Sequence, residues 1–272
     1  MRSTSNPAFR NLPRNGAGNY AGFYTGGGMA AQPGAAQPGY GPAGGYGGYP
    51  QGGAAERPMT IDDVITKTAI TLAVAFVTGG LTVALNLSWL ALPALIVGLV
   101  TSLIIIFKRS PSAPMVLTYA AAEGILLGAI TGLFEHLYPG IAFEAIAGTF
   151  GVFAAMLIVY KTGAVRVTPR LTKWVIGATV GAAVVMLADL VIRMFGGDLG
   201  IRDGGPVAIV FSLLVIGIAA FNLLLDFDQA DAMIRAGMPA KWAWYAAFGL
   251  MVTLVWLYLE ILRLLSYLQR SN

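Results

Sequence analysis

Seven stretches of apolar residues, each near the roughly 20 needed to cross a bilayer, constrain this chain more than any other feature. They run Thr68–Leu85, Trp89–Phe107, Met115–Phe134, Ile141–Tyr160, Trp174–Phe195, Val207–Leu225 and Tyr245–Leu268. Hydrocarbon supplies no water to a backbone N–H or C=O, so a span of this kind closes its hydrogen bonds internally as a helix. The fold class predicted is an all-α integral membrane protein, a seven-transmembrane-helix bundle over residues 59–272. Composition agrees: 57% of the 272 residues are hydrophobic and 11% charged, where a soluble domain carries about 25% charged residues. There are too few charges to coat a water-exposed surface.

Residues 1–58 differ in kind. The stretch GFYTGGGMAAQPGAAQPGYGPAGGYGGYPQGG is rich in Gly, Pro, Tyr and Gln, a composition that buries too little apolar surface to fold. It also has no apolar core of a signal peptide. A disordered cytoplasmic tail is predicted, either a tolerated extension or a docking segment for a membrane-protein partner. The structured part should begin at ERPMTIDDVITK, with Thr60 as N-cap and Asp62 and Asp63 near the positive end of the helix dipole.

Several function classes are excluded by what is missing. The chain has no cysteine and one histidine, His136, so thiol chemistry and His-cluster metal centres fall away. Its net charge of +4 does not point to nucleic acid, because the basic residues sit in short loops, where they set topology. Lys108 and Arg109 follow the second span, and Lys161, Arg166, Arg170 and Lys173 precede the fifth, while Arg193 and Arg202 weaken the contrast without reversing it. The N-terminus is therefore expected in the cytoplasm and the C-terminus outside. Gly124, Gly128 and Gly132 on the third span, and Gly177 and Gly181 on the fifth, have the spacing that lets membrane helices pack closely.

Ionisable groups inside spans are costly and mark function or pairing. Asp189 has Arg193 at i+4, which explains both as a local ion pair. Glu123 lies in the third span, Asp226 ends the sixth after three leucines, and Glu260 lies deep in the seventh with Arg263 at i+3. If the last two helices are antiparallel neighbours, Asp226 and Glu260 could approach each other and share a proton. Their oxygens are hard ligands suited to calcium.

These residues carry a family resemblance. SPSAPMVLTYAAAEGILLGAITGLFE, YPGI, YKTGAVRVTPR, LLLDFDQ and LYLEILRLL resemble the Bax inhibitor-1-like family, in a bacterial branch with a Gly/Pro/Tyr-rich extension. The resemblance covers about residues 56–272. It implies a pH-sensitive passive calcium leak of the bacterial cytoplasmic membrane, gated by a carboxylate pair. Asp226 matches the aspartate of the family's L-Y-D-x-x-Q stretch and Glu260 that of its L-Y-L-D stretch. A basic latch from the second helix is implied at Lys108 or Arg109, with Glu123 as a secondary pore-facing acid. Two departures are visible: glutamate replaces aspartate at 260, and the segment between the sixth and seventh helices is long. The expected partners are the bilayer, calcium ions and protons, with calcium as cargo and no cofactor. The other reading is a non-conducting, membrane-embedded regulator of a membrane protease or stress response. The two acids superficially resemble a hydrolytic dyad, but no second catalytic motif accompanies them, and the chain is not expected to be an enzyme.

Overall fold

A computed structural model describes residues 57–109 and 111–270; apart from its last two residues, the predicted tail lies outside them. Seven long helices follow one another: α1 (Ile61–Ala84), α2 (Ala91–Lys108), α3 (Ala113–Leu137), α4 (Ile141–Thr162), α5 (Pro169–Met194), α6 (Pro206–Arg235) and α7 (Ala243–Arg270). All seven are long and apolar enough to cross a membrane. Single 3₁₀ turns at Ser88–Leu90 and Ala240–Trp242 lead into α2 and α7.

Local chemistry sets the helix ends. Thr60 and Thr168 accept the orphan N–H groups of Asp63 and Leu171, and proline opens α5 and α6, where the missing N–H has no helical partner to lose. Gly163, at φ 68°, ends α4 in the left-handed region that glycine enters without a Cβ clash. Arg109 ends α2 at φ 46°, an uncommon conformation for a residue with a Cβ. The largest departure from the sequence reading is α6, which continues ten residues past Leu225 to Arg235. FDQADAMIR is polar but contains no glycine or proline, so the helix outruns its apolar stretch and stops just before Gly237.

The most buried helix is α7, which packs against α1, α3, α4 and α6, while α5 packs on α6 at the rim. Leu223, Phe227, Leu250, Leu254, Leu257 and Ile261 form the core between α6 and α7. Ile105, Val116, Tyr119, Phe248 and Met251 form a second cluster where α2 and α3 meet α7. The α1–α3 contact is closest of all, because Gly124 and Gly128 lie against the backbone of Ala75 and Gly79. The other glycine face behaves differently: nothing lies within 4 Å of a Cβ placed at Gly177 or Gly181. On the peripheral α5 these glycines face open space, not a helix.

Residues before α1 are stitched to the α6–α7 turn. Met59 N–H donates to Met238 O at 2.7 Å, and Ala240 N–H to Arg57 O at 2.9 Å. Arg57 grips Asp63 through both terminal nitrogens, at 2.8 and 2.6 Å, and this contact raises the guanidinium pKa above its ordinary value. Asp63 also accepts from the Thr60 backbone, completing a reciprocal cap. Asp63→Asn is expected to reduce stability by about 1 kcal/mol through the weakened cap. Thermal unfolding followed by tryptophan fluorescence checks this, with exposed Asp62→Asn as the variant expected to stay within error of wild type.

Candidate functional site

Asp226 and Glu260 lie toward opposite ends of α7. Toward the α6–α7 turn, Asp226 Oδ2 accepts a hydrogen bond of 2.5 Å from Thr253 Oγ1. Gly249, one turn earlier on α7, leaves room beside Oδ1, which would lie 3.9 Å from a Cβ there. This pairing follows from the hairpin. Asp226 is nine residues before the end of α6 and Thr253 ten after the start of α7, so an antiparallel turn sets them opposite each other. Asn222 does not join them; its amide donates to Thr179 Oγ1 on α5 at 2.7 Å and to Ile218 O at 2.9 Å. Asp231 is accounted for by Arg235 at 2.5 Å and by the Tyr160 hydroxyl at 3.3 Å.

Glu260 belongs to the other end. It is 2% exposed, and its Oε1 accepts from Arg263 Nη1 at 2.6 Å, while Oε2 has no hydrogen-bond partner. Seven residues separate it from Thr253, roughly 10 Å of helix at 1.5 Å per residue. The intervening positions include Leu254, Leu257 and Tyr258, all buried. Asp226 and Glu260 therefore do not share a proton in this conformation, as the sequence reading had them do. The reason is the long α6–α7 segment already visible in the sequence, which places Asp226 level with Thr253 and carries Glu260 two turns farther on.

Around Glu260 lies a network joining α5, the α5–α6 loop and α7. Asp189, fully buried, accepts from Arg193 Nε at 2.9 Å, as the i+4 spacing predicts, and lies 3.7 Å from Arg202 Nε. Arg193 continues to Asp198 at 2.9 Å. Burial, and secondly the nearby Arg263 cation, lower the Arg202 pKa below its ordinary value, with Asp189 and Glu260 acting in the opposite sense. Sequence reasoning named Arg263 but gave Arg202 only a topological role. Its convergence on residues some 60 positions away depends on the loop GGDLGIRDGG, in which Gly196, Gly200 and Gly204 all take positive φ.

The expected latch sits elsewhere. Lys108 and Arg109 are exposed at the far end of α2, and neither pairs with Asp226 or Glu260 among the described residues. The base that holds Glu260 comes from its own helix. Glu123 faces α2, where its Oε1 lies 3.3 Å from the position a Cβ would take on Gly98. No three His, Asp or Glu side chains converge to hold a metal ion among the described residues. A cavity of about 420 Å³ lies between α1, α3, α4 and α7. Phe76, Phe150, Met251 and Leu254 give it an apolar wall, and Thr131 and Tyr258 join across it by a hydrogen bond of 2.7 Å.

A family model described as Bax inhibitor 1 like matches residues 6–270. A comparison with curated proteins finds no match.

Proposed function

Since the chain belongs to the Bax inhibitor-1-like family, we propose that it is a pH-sensitive passive calcium leak of a bacterial cytoplasmic membrane, its N-terminus cytoplasmic. The observation that carries this reading is the placement of two span-embedded carboxylates on the α6–α7 hairpin, one at each end of a buried apolar stretch of α7. Calcium, as cargo, needs several hard oxygen ligands. At one end Asp226 and Thr253 offer them, and at the other Glu260 does once Arg263 lets go. Arg263 then takes the latch role that the family resemblance implies for Lys108 or Arg109. Protonating Glu260 would release Arg263 and let α7 shift against α6, so acid favours opening. Orientation rests on Lys108, Arg109, Lys161, Arg166, Arg170 and Lys173, which share one end of the bundle.

The test is calcium flux into liposomes holding the purified full chain, across a pH series. Wild type is expected to leak more as pH falls. Glu260→Gln is expected to keep its flux and lose the pH dependence, and Asp226→Asn to lower flux at every pH. An unchanged pH profile in Glu260→Gln overturns the gating assignment.

One observation favours the second reading, a non-conducting regulator of a membrane protease or stress response. Arg193, Arg202 and Arg263 line one pocket at the end of the bundle where Arg263 holds Glu260, and their charge opposes a divalent cation at that mouth. A flux no greater than that of empty liposomes at any pH, with partner capture lost on deleting residues 1–55, would select it. No enzymatic step is assigned to either reading.

A further inference from the structure

Four guanidinium groups, those of Arg193, Arg202, Arg263 and Arg270, line a single pocket of about 370 Å³ at the end of the bundle that carries the C-terminus. Four carboxylates lie nearby, and Asp203 in the loop accepts from the Gly205 N–H at 3.1 Å. Asp189 and Asp198 hold Arg193, and Glu260 holds Arg263. Arg202 reaches Asp189 only at 3.7 Å and its buried Nε has no hydrogen-bond acceptor. Arg270 forms no ion pair among the described residues and stands exposed at the last turn of α7. No carboxylate among the described residues lines the pocket itself, and Arg202 and Arg270 are the two of its guanidinium groups without a close carboxylate partner.

The loop is shaped to hold these groups in place. Gly204, at φ 87°, lets the chain fold back so that the Tyr267 hydroxyl donates to Arg202 O at 3.4 Å. A Cβ at Gly204 would stand 3.9 Å from Arg270 Nη1, so the loop runs directly beside that guanidinium. Beneath, Asp189 and Glu260 are buried and fix Arg193 and Arg263 from below. The side wall is Phe134, Leu137 and Tyr138 at the end of α3. Cationic forks thus converge above an apolar wall where three membrane helices end.

We infer that this pocket binds a phosphate-bearing anion. Guanidinium groups present paired N–H donors in a plane that matches phosphate oxygens, and a pocket of this size admits a phosphate with a small polar substituent. Basic pockets between helix ends, level with lipid head groups, suit a phosphodiester in particular. The same chemistry would take free inorganic phosphate from the aqueous side. The site shares Arg263 with the proposed gate, but lipid retention is read without any flux, so its test does not depend on that reading.

Native mass spectrometry of the full chain in mild detergent tests it with three probes: phosphatidylglycerol, phosphatidylcholine and inorganic phosphate. Phosphatidylglycerol is expected to be retained about tenfold more than phosphatidylcholine, a difference of about 1.4 kcal/mol. That preference should disappear in Arg202→Gln/Arg270→Gln. Arg270→Gln alone, at an exposed position that bears little on folding, should remove part of it. If millimolar phosphate displaces the lipid and also binds alone, the free anion is the ligand; if it does neither, the head group is. Equal retention of the two lipids with no binding of phosphate overturns the inference. So does a preference that survives unchanged in both variants.

Discussion

Gly128→Val is expected to unfold the bundle or leave it barely folded, the largest effect of any single substitution considered. A Cβ on Gly128 would stand 2.4 Å from Gly79 O and 2.8 Å from Gly79 Cα. Both are backbone atoms of α1, so no side chain can rotate aside to make room. Relief requires α1 and α3 to separate along an interface that runs much of their length. Overpacking a well-filled core typically costs 1–3 kcal/mol and sometimes more, and a backbone clash within van der Waals radii belongs at the upper end, about 3 kcal/mol or beyond. Gly124→Val meets Ala75 O at 2.4 Å and should behave alike. Gly177→Val is the contrasting variant. Its Cβ meets nothing within 4 Å, and it is expected to unfold within a few degrees of wild type. Thermal unfolding in detergent decides the matter, and equal losses at 128 and 177 would refute the close α1–α3 contact.

That contrast shows how far the sequence could be read. Both glycine faces have the same spacing, and in both cases the spacing reports only that a close approach is sterically permitted. Which face has a helix against it depends on the order of helices around the bundle, which no local pattern encodes. The seven spans were legible because the requirement for apolar length is local and severe. The reach of α6 was less so, since FDQADAMIR is helix-compatible yet polar, and hydropathy ends where the helix does not. Those nine residues moved Asp226 from a helix end to a position inside it, opposite Thr253.

Individual site residues were legible as embedded charges, but their partners only where those lay on the same helix. Asp189 with Arg193 and Glu260 with Arg263 follow from i+4 and i+3 spacing. Arg202 and Arg270 meet across a glycine-punctuated loop and the end of α7, a convergence fixed by tertiary structure alone. Asp226 and Glu260 belong to stretches that resemble a family pairing. Counting along the hairpin sets them two turns apart, and the long α6–α7 segment was the sequence feature that carried this difference.

Arg263→Gln is expected to give the second largest loss, about 3 kcal/mol or more. It leaves Glu260 at 2% exposure without the cation that accepts its charge, when Oε2 already has no partner. Removing one member of a buried pair strands the other, whereas removing both need not. Glu260→Leu/Arg263→Met should therefore recover most of the loss, because a buried ion pair replaced by apolar residues of similar size is often neutral or stabilising. Arg202 would lose one nearby anion in that variant but keeps Asp189 at 3.7 Å. The double variant also separates stability from function. If it unfolds near the wild-type temperature and its calcium flux no longer responds to pH, the pair does not serve to hold the bundle together. It is then the charged element on which gating acts. If it unfolds as easily as Arg263→Gln, the penalty does not come from a stranded carboxylate, and Arg263 supports the bundle through contacts other than its pair with Glu260 on the same helix.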